Sequence, residues 1–390
     1  MVCKIVKTIS QTIIKKSSME RKQQKNIIHD LSKKIVILTG PRQVGKTWLA
    51  KRIAADFKTY SYLNYDNYKD KKIIHDFGWL PDIELLILDE LHKMKGWKNY
   101  LKGLYDSEAD NLKILVTGSA SIEIFRHQGD SLAGRFFRHR LNPLSLAEIK
   151  DSDESTLNRL LERGGFPEPF LSENNNDAKR WRLQYIDGLI RTDILEFENI
   201  QNFKAIQLTL ELLRERVGSP VSYSSIARDI GSSPNTIKRY IEILEALFII
   251  FKVHPFNKNI ARSILKEPKI YFYDVGMVNA DEGIKFENLV AVSLKKHLDA
   301  IEDYEGVRTF LHYLRTKDKK EVDFCTVIES QNITLFEVKL SDHKVSPSLR
   351  YFQKKYDFKA VQIVKSLRKE YHTDNIEIRR GFDYLKSLTI

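Results

Sequence analysis

Gly40-Pro-Arg-Gln-Val-Gly-Lys-Thr47 is the stretch from which the rest of the chain is read. It satisfies G-x-x-x-x-G-K-[ST], a pattern whose glycines let successive backbone N–H groups turn inward around a phosphate. Gly40, Pro41, Arg42, Gln43, Val44 and Gly45 then form the cradle, Lys46 reaches the β and γ oxygens, and the Thr47 hydroxyl ligates Mg²⁺. The flanks supply the required context. Lys34-Ile-Val-Ile-Leu-Thr39 is a short β-branched apolar run and predicts a buried strand. From Trp48 to Ala55 the residues are helix formers at helical spacing, so a phosphate bound by the loop sits at a helix N-terminus, with Trp48 in its first turn.

Downstream, Glu84-Leu-Leu-Ile-Leu-Asp-Glu90 is an apolar strand ending in acids. In a nucleotide hydrolase Asp89 holds Mg²⁺ through water, and Glu90 polarises the water that attacks the γ-phosphate. A third strand, Leu112 to Thr117, runs into Gly118-Ser-Ala-Ser121, where Thr117 or Ser119 senses the γ-phosphate or forms an ordinary polar turn. Arg135, in Ser131-Leu-Ala-Gly-Arg135, has two readings. It is an arginine that stabilises transferred charge, in cis or from a neighbouring subunit of a homo-oligomer, or it is a surface arginine.

At 390 residues, with 42% hydrophobic and 11% aromatic content, the chain has room for two or three domains, each with its own core. No apolar run reaches the ~18 residues that a membrane span needs, so no membrane partner is expected. Met1-Val-Cys-Lys-Ile-Val-Lys7 lacks a secretory pattern, and Cys3 and Cys325 are too few for a disulfide framework. These readings predict a cytoplasmic protein. A net charge of +12 and a pI near 9.3 favour an anionic partner, nucleic acid before an anionic membrane surface. Residues 15–34 are basic (Lys15, Lys16, Arg21, Lys22, Lys25, Lys33, Lys34) and predict a leading helix with a charged face.

The pattern turns helical after residue 180. Tyr223-Ser-Ser-Ile-Ala-Arg-Asp-Ile230, a Gly231-Ser232 turn and a helix opening at Ser233-Pro234 predict a helix-turn-helix, winged in form. Ser233 suits the N-cap and Pro234 the first helical position, with Ile226, Ala227, Ile230, Ile237 and Ile241 facing inward. In a DNA reader the exposed early residues of the second helix, Asn235, Thr236, Lys238 and Arg239, face phosphates and base edges. The alternative is a unit that contacts protein.

Near the C-terminus, Glu321 to Ile328 and Ile333 to Leu340 alternate with a two-residue period and predict an antiparallel hairpin. Val322, Phe324 and Ile328 are expected on one face, with Asp323 on the other. Opposite Glu337 and Lys339, Asp323 completes a pattern in which two acids bind Mg²⁺ and a lysine activates water. The helix around Ile284–Leu294 carries Glu287 on the stripe of Val290, Ala291, Leu294 and Leu298, as a further metal ligand. The competing reading is a surface hairpin with ordinary ion pairs.

The chain resembles a prokaryotic family of AAA-type ATPases ending in a domain of unknown function. The likeness rests on Leu38 to Thr47, Leu88-Asp-Glu90, Thr117-Gly-Ser119, Ala133-Gly-Arg135, Asn142-Pro-Leu-Ser145, Gly164-Gly-Phe-Pro-Glu-Pro169, Tyr271-Phe-Tyr-Asp-Val-Gly276 and the closing Glu321-Val-Asp-Phe324 with Glu337-Val-Lys339. The resemblance implies an α/β fold: a P-loop NTPase parallel sheet of the ASCE/AAA-like kind, a winged-helix unit and a restriction-endonuclease-like α/β domain. The expected boundaries are 1–150 for the ATPase domain, 151–200 for a helical lid, 201–265 for the winged helix and 266–390 for the nuclease-like domain. The expected activity is ATP hydrolysis with Mg²⁺, acting as a switch or motor on double-stranded or branched DNA. A working ATP-gated nuclease and a nucleotide-regulated scaffold with an inert nuclease-like domain are the alternatives.

Overall fold

The computed structural model describes residues 21–108, 112–118, 132–190, 202–256, 266–341 and 344–390. It divides into two compact units. The first comprises residues up to Thr39, Gly45–Leu141 and Glu148–Ser152, and the second Gly40–Val44, Asn142–Ala147 and Asp153–Ile390.

In the first unit, β1 (Ile35–Thr39) and α2 (Lys46–Ala54) flank the glycine loop, preceded by α1 (Gln24–Leu31). There follow β2 (Tyr60–Asn64), α3 (Tyr68–His75), β3 (Leu85–Asp89), α4 (Trp97–Glu108), β4 (Lys113–Thr117) and β5 (Phe136–Arg140). All strands are parallel, in the order β2-β3-β4-β1-β5. This is the α/β P-loop NTPase sheet, with one strand inserted between the loop strand and the acidic strand. Because β1 and β3 are buried on both faces, their sequences read as continuous apolar runs rather than alternating ones. One face, with Ile35, Ile37, Leu86, Leu88, Ile114 and Val116, packs on Trp97, Leu101 and Leu104 of α4. The register aligns the strand ends, since Leu38 and Asp89 both pair with Thr117 and Asn64 pairs with Asp89. The functional side chains therefore emerge in one row at the carboxyl edge, where open α/β sheets bind ligands.

The second unit holds the helices α5 (Glu154–Arg163), α6 (Pro167–Leu171), α7 (Asn175–Gly188), α8 (Phe203–Arg214), α9 (Tyr223–Ile230) and α10 (Pro234–Ala246). As the sequence predicts, Ser233 caps α10 by accepting the Thr236 N–H at 3.1 Å, and Pro234 stands at the first helical position. Gly231 ends α9 in the left-handed conformation, φ 72°. Ile226, Ala227, Ile237 and Ile241 are buried, and Ile230 is half-buried. Next come β6 (Ile250–Pro255), β7 (Lys269–Phe272), α11 (Glu282–Glu305), β8 (Thr309–Arg315), β9 (Glu321–Ile328), β10 (Asn332–Lys339), α12 (Pro347–Tyr356), β11 (Lys359–Val364), β12 (Tyr371–Thr373), β13 (Ile376–Arg380) and α13 (Gly381–Ser387).

These strands form one mixed sheet, β12-β13-β11-β10-β9-β8-β6-β7. β8, β9 and β10 run antiparallel, and β11 returns parallel to β10 after α12. The sheet does not break at residue 265. β7, beyond that expected boundary, pairs with β6, and β6 pairs in turn with β8. Asn288 of α11 binds both main-chain groups of Phe272, donating to its carbonyl and accepting its N–H at 2.8 Å each.

Three of the motifs behind the family likeness meet inside this unit. Leu144 N–H donates to the Gly165 carbonyl at 2.7 Å, and the Lys296 ammonium donates to the Pro143 carbonyl at 2.9 Å. The Arg182 Nε donates to the Asp274 carboxylate at 2.8 Å, with side-chain exposures of 9% and 0%. Gly164 and Gly276 close over this pair. A Cβ on Gly164 would stand 1.6 Å from the Asp274 carboxylate, and one on Gly276 2.0 Å from the Arg182 guanidinium.

Candidate active site

The Asp89 carboxylate is held by hydroxyl donors from neighbouring elements. Thr47 Oγ1 donates at 3.0 Å from the start of α2, Tyr62 Oη at 2.5 Å from β2, and Thr117 Oγ1 donates from β4. Asp89 and Thr117 are buried, as is Lys46 at 6% exposure. Burial, then the hydrogen bond to Asp89, pushes the Tyr62 ionisation upward, so its hydroxyl stays a donor. A threonine hydroxyl and a carboxylate are hard oxygen donors, which suit Mg²⁺ with phosphate oxygens and water completing its shell. Gly45, at φ 101°, turns the chain into the first turn of α2. Gly40 has φ 146° and Gln43 φ 58°, so the loop depends on left-handed backbone at a residue that is not glycine.

Glu90 also adopts left-handed backbone, φ 57° and ψ 25°, directly after β3. Its N–H donates to the Thr117 carbonyl at 3.0 Å, and its carboxylate lies 3.6 Å from His92 Nε2. Such backbone costs a non-glycine residue roughly 1–3 kcal/mol and gathers at functional sites. Thr117, one of two candidates for sensing a γ-phosphate, is fully buried and directs its hydroxyl at Asp89. The other, Ser119, lies outside the described residues. Arg135 is paired through both carboxylate oxygens with Asp106 of α4, at 2.7 and 3.2 Å. To reach a phosphate it must first leave Asp106.

A second polar cluster lies in the mixed sheet. The predicted period fails there at a β-bulge. Cys325 pairs with His312 and Val322 with Leu314, so Asp323 and Phe324 together oppose Tyr313. Val322 consequently packs with Cys325, Val327 and Leu335, while Phe324 meets Tyr271 with ring centroids 5.3 Å apart. The expectation that Val322 and Phe324 share a face is thus corrected, because one extra residue reverses the alternation. Past the last ladder pair, Phe324 with Phe336, the Asp323 carboxylate accepts the Val338 N–H at 2.8 Å.

Around Asp323 the charges alternate. Lys339 Nζ lies 2.8 Å from Glu337, and Lys269 Nζ lies 2.7 Å from Glu321 and 3.7 Å from Glu287, which accepts the Tyr271 hydroxyl at 2.6 Å. Burial, then the Asp323 charge, raises Glu287 and Glu337 to about 7 each. Burial alone would lower the Lys269 ammonium, but Glu287, Asp323 and Glu321 outweigh it and raise it. Among the described residues no group of three or more His, Cys, Asp or Glu side chains could hold a metal ion. The Asp323 charge nevertheless acts on both Glu287 and Glu337, with Lys269 and Lys339 interleaved among the three carboxylates.

Comparison with known proteins gives a family match to each part. Residues 32–150 match an AAA domain, residues 154–288 a domain of unknown function (DUF8612), and residues 282–385 another domain of unknown function (DUF4143). The chain carries an AAA-type P-loop domain and, at its other end, a domain of unknown function. An uncharacterized protein of Mycobacterium tuberculosis is 26% identical over 328 residues, covering 81% of this chain and 73% of its own. One from Methanocaldococcus jannaschii is 24% identical over 359 residues, covering 82% and 78%. Among solved structures, the Walker-type ATPase PABY2304 of Pyrococcus abyssi has 16% identity and a TM-score of 0.44, covering 68% of this chain and 95% of that one. The Aeropyrum pernix Orc1 protein in complex with DNA has 13% identity and a TM-score of 0.33, covering 70% and 93%.

Asn235, Lys238 and Arg239 of α10 are exposed, and Thr236 is half-buried with its hydroxyl 2.9 Å from Ser233. Lys238 stands 3.9 Å from Glu242. No described helix is long and apolar enough to cross a membrane. Sequence reasoning passed over Tyr62, Lys269, Tyr271 and the Arg182–Asp274 pair. A lysine opening the otherwise apolar Lys269-Ile-Tyr-Phe272 was a signal for the second. For the pair the signal is one-sided: Asp274 lies in the Tyr271–Gly276 motif, whereas Arg182, 92 positions away, carries none.

Proposed function

We propose that the chain binds ATP with Mg²⁺, hydrolyses it, and uses the cycle as a switch on double-stranded or branched DNA. One observation carries the reading: beyond a complete phosphate loop, Asp89 is oriented by Thr47, Tyr62 and Thr117 at the carboxyl edge of the parallel sheet. Lys46 and the loop N–H groups bind the phosphates, Thr47 and Asp89 hold the metal, and Glu90 accepts the proton of the attacking water. Bound Mg²⁺ neutralises charge on the β and γ oxygens. In such transfers, positioning and charge stabilisation dominate.

The DNA part rests on the basic charge and on a winged-helix reading of α8 to β7. α9 and the capped α10 are followed by the antiparallel β6–β7 pair, and Pro220, just before α9, bridges Lys269 of β7. The measurement is DNA binding and ATP turnover across a salt series. Lys238→Glu with Arg239→Glu is expected to weaken binding at every sequence and to reduce the salt slope by about two. Wild-type turnover indifferent to DNA, with no salt-dependent binding, would refute the switch.

The order α11-β8-β9-β10-α12-β11, with Asp323 and Glu337-Val-Lys339 on adjacent strands, supports a restriction-endonuclease-like reading of the last domain. Lys269, a buried cation extra to that pattern and already paired with Glu321 beside Glu287, favours a domain that does not cut DNA. Supercoiled plasmid incubated with the protein, Mg²⁺ or Mn²⁺ and ATP is expected to stay intact. Nicking that disappears in Asp323→Asn would establish a nuclease instead.

A further inference from the structure

The first half of the phosphate loop, Gly40–Val44, clusters with α7 in the second unit. Trp181 Nε1 of α7 donates to the Gln43 side-chain oxygen at 2.8 Å. One turn on, the Tyr185 hydroxyl donates to the Arg42 carbonyl at 3.3 Å. The two rings stack, with centroids 4.7 Å apart and planes 11° from parallel. Phe166, ahead of α6, backs both at 5.5 and 5.3 Å. Trp181, Tyr185 and Phe166 are buried at 8%, 4% and 1% exposure. A rigid aromatic wall therefore offers two donors to consecutive residues of the loop, the second of which is Gln43 at φ 58°. Left-handed backbone at a non-glycine residue persists only where its surroundings over-determine it.

We infer that Trp181 is a positioning residue for the nucleotide. It acts through Gln43, fixing the backbone in the shape that turns the loop N–H groups toward a triphosphate. Tyr185 fixes the neighbouring carbonyl in the same way. The inference rests on the proposed ATP reading and adds that α7 sets the strength of ATP binding. Preorganised N–H groups bind phosphate without first losing loop entropy, so weakening the wall acts on binding rather than on the chemical step. Trp181 also becomes a spectroscopic reporter, because its indole N–H partner is a loop residue.

The test uses the full chain with ATP and Mg²⁺. Trp181→Phe keeps an aromatic ring and removes the indole N–H, while Gln43→Ala removes the acceptor from an exposed side chain and leaves the wall intact. Each is expected to raise KM for ATP about five- to tenfold, the worth of one hydrogen bond, with kcat within about twofold of wild type. The double variant is expected to be no worse than either single one, since both remove the same contact. Part of the tryptophan fluorescence change on ATP addition disappears in Trp181→Phe and is altered in Gln43→Ala. Unchanged KM in both variants, or single effects that multiply in the double variant, would overturn the inference. A Trp181→Phe defect accompanied by a lowered melting temperature, with Gln43→Ala normal, would also overturn it, as a packing defect. A wild-type chain that binds no fluorescent ATP analogue would instead remove the ATP reading itself.

Discussion

Glu90→Gln is expected to bind ATP as the wild type does and to hydrolyse it at least about a hundredfold more slowly, the usual cost of losing a general base. The amide keeps the shape of the side chain and the backbone at φ 57°, so the loss lies in proton acceptance alone. Lys46→Ala is expected to fail earlier, at binding, because its ammonium is the buried cation of the phosphate loop. Phosphate release and binding of a fluorescent ATP analogue, measured on the same preparations, separate the two. Turnover by Glu90→Gln at the wild-type rate would move the base elsewhere. Full ATP affinity in Lys46→Ala would remove the phosphate loop from the account altogether.

The second large effect concerns stability. Arg182→Ala is expected to cost about 3–5 kcal/mol, because it leaves the Asp274 carboxylate buried without its counter-charge. Burial already raises the Asp274 carboxyl above its ordinary 3.8, and Arg182 opposes that rise. Without the arginine the folded-state pKa climbs further. A carboxyl whose folded pKa exceeds its unfolded one lowers stability progressively as the pH rises above the unfolded value. The deficit is therefore largest at neutral pH and shrinks under acid, where Asp274 takes up a proton. Urea titrations at two pH values measure it, and Arg182→Met with Asp274→Asn is expected to recover much of the loss. A deficit that does not vary with pH would mean lost packing, not an orphaned charge.

The phosphate loop and the parallel sheet were legible because their signals are local. A glycine loop between an apolar run and a helix, then an apolar run ending in Asp89-Glu90, constrain the fold through neighbouring residues. The capped start at Ser233-Pro234 is of the same kind. What stayed hidden depends on distant residues or on broken periodicity. Tyr62 meets Asp89 only because β2 lies beside β3 in the sheet. The bulge at Asp323–Phe324 breaks the two-residue rule, so Phe324 faces away from Val322. Lys269 enters the carboxylates from a strand the sequence assigned to no site. The Asn142, Gly164 and Tyr271 motifs carried the family likeness without revealing that they pack together in one unit.

Asn288 has a consequence for how this chain behaves among copies of itself. β7 is an edge strand, and an edge offers unpaired main-chain groups on which another polypeptide can extend the sheet. By occupying both groups of Phe272, the asparagine removes one such foothold. Val221 N–H covers the neighbouring Pro268 carbonyl at 2.8 Å, and the Pro220–Lys269 bridge covers the strand's start. The opposite edge, β12, spans only Tyr371–Thr373. A sheet of this width is thereby closed to strand addition at one side and offers little purchase at the other, which protects it from aggregation by edge pairing.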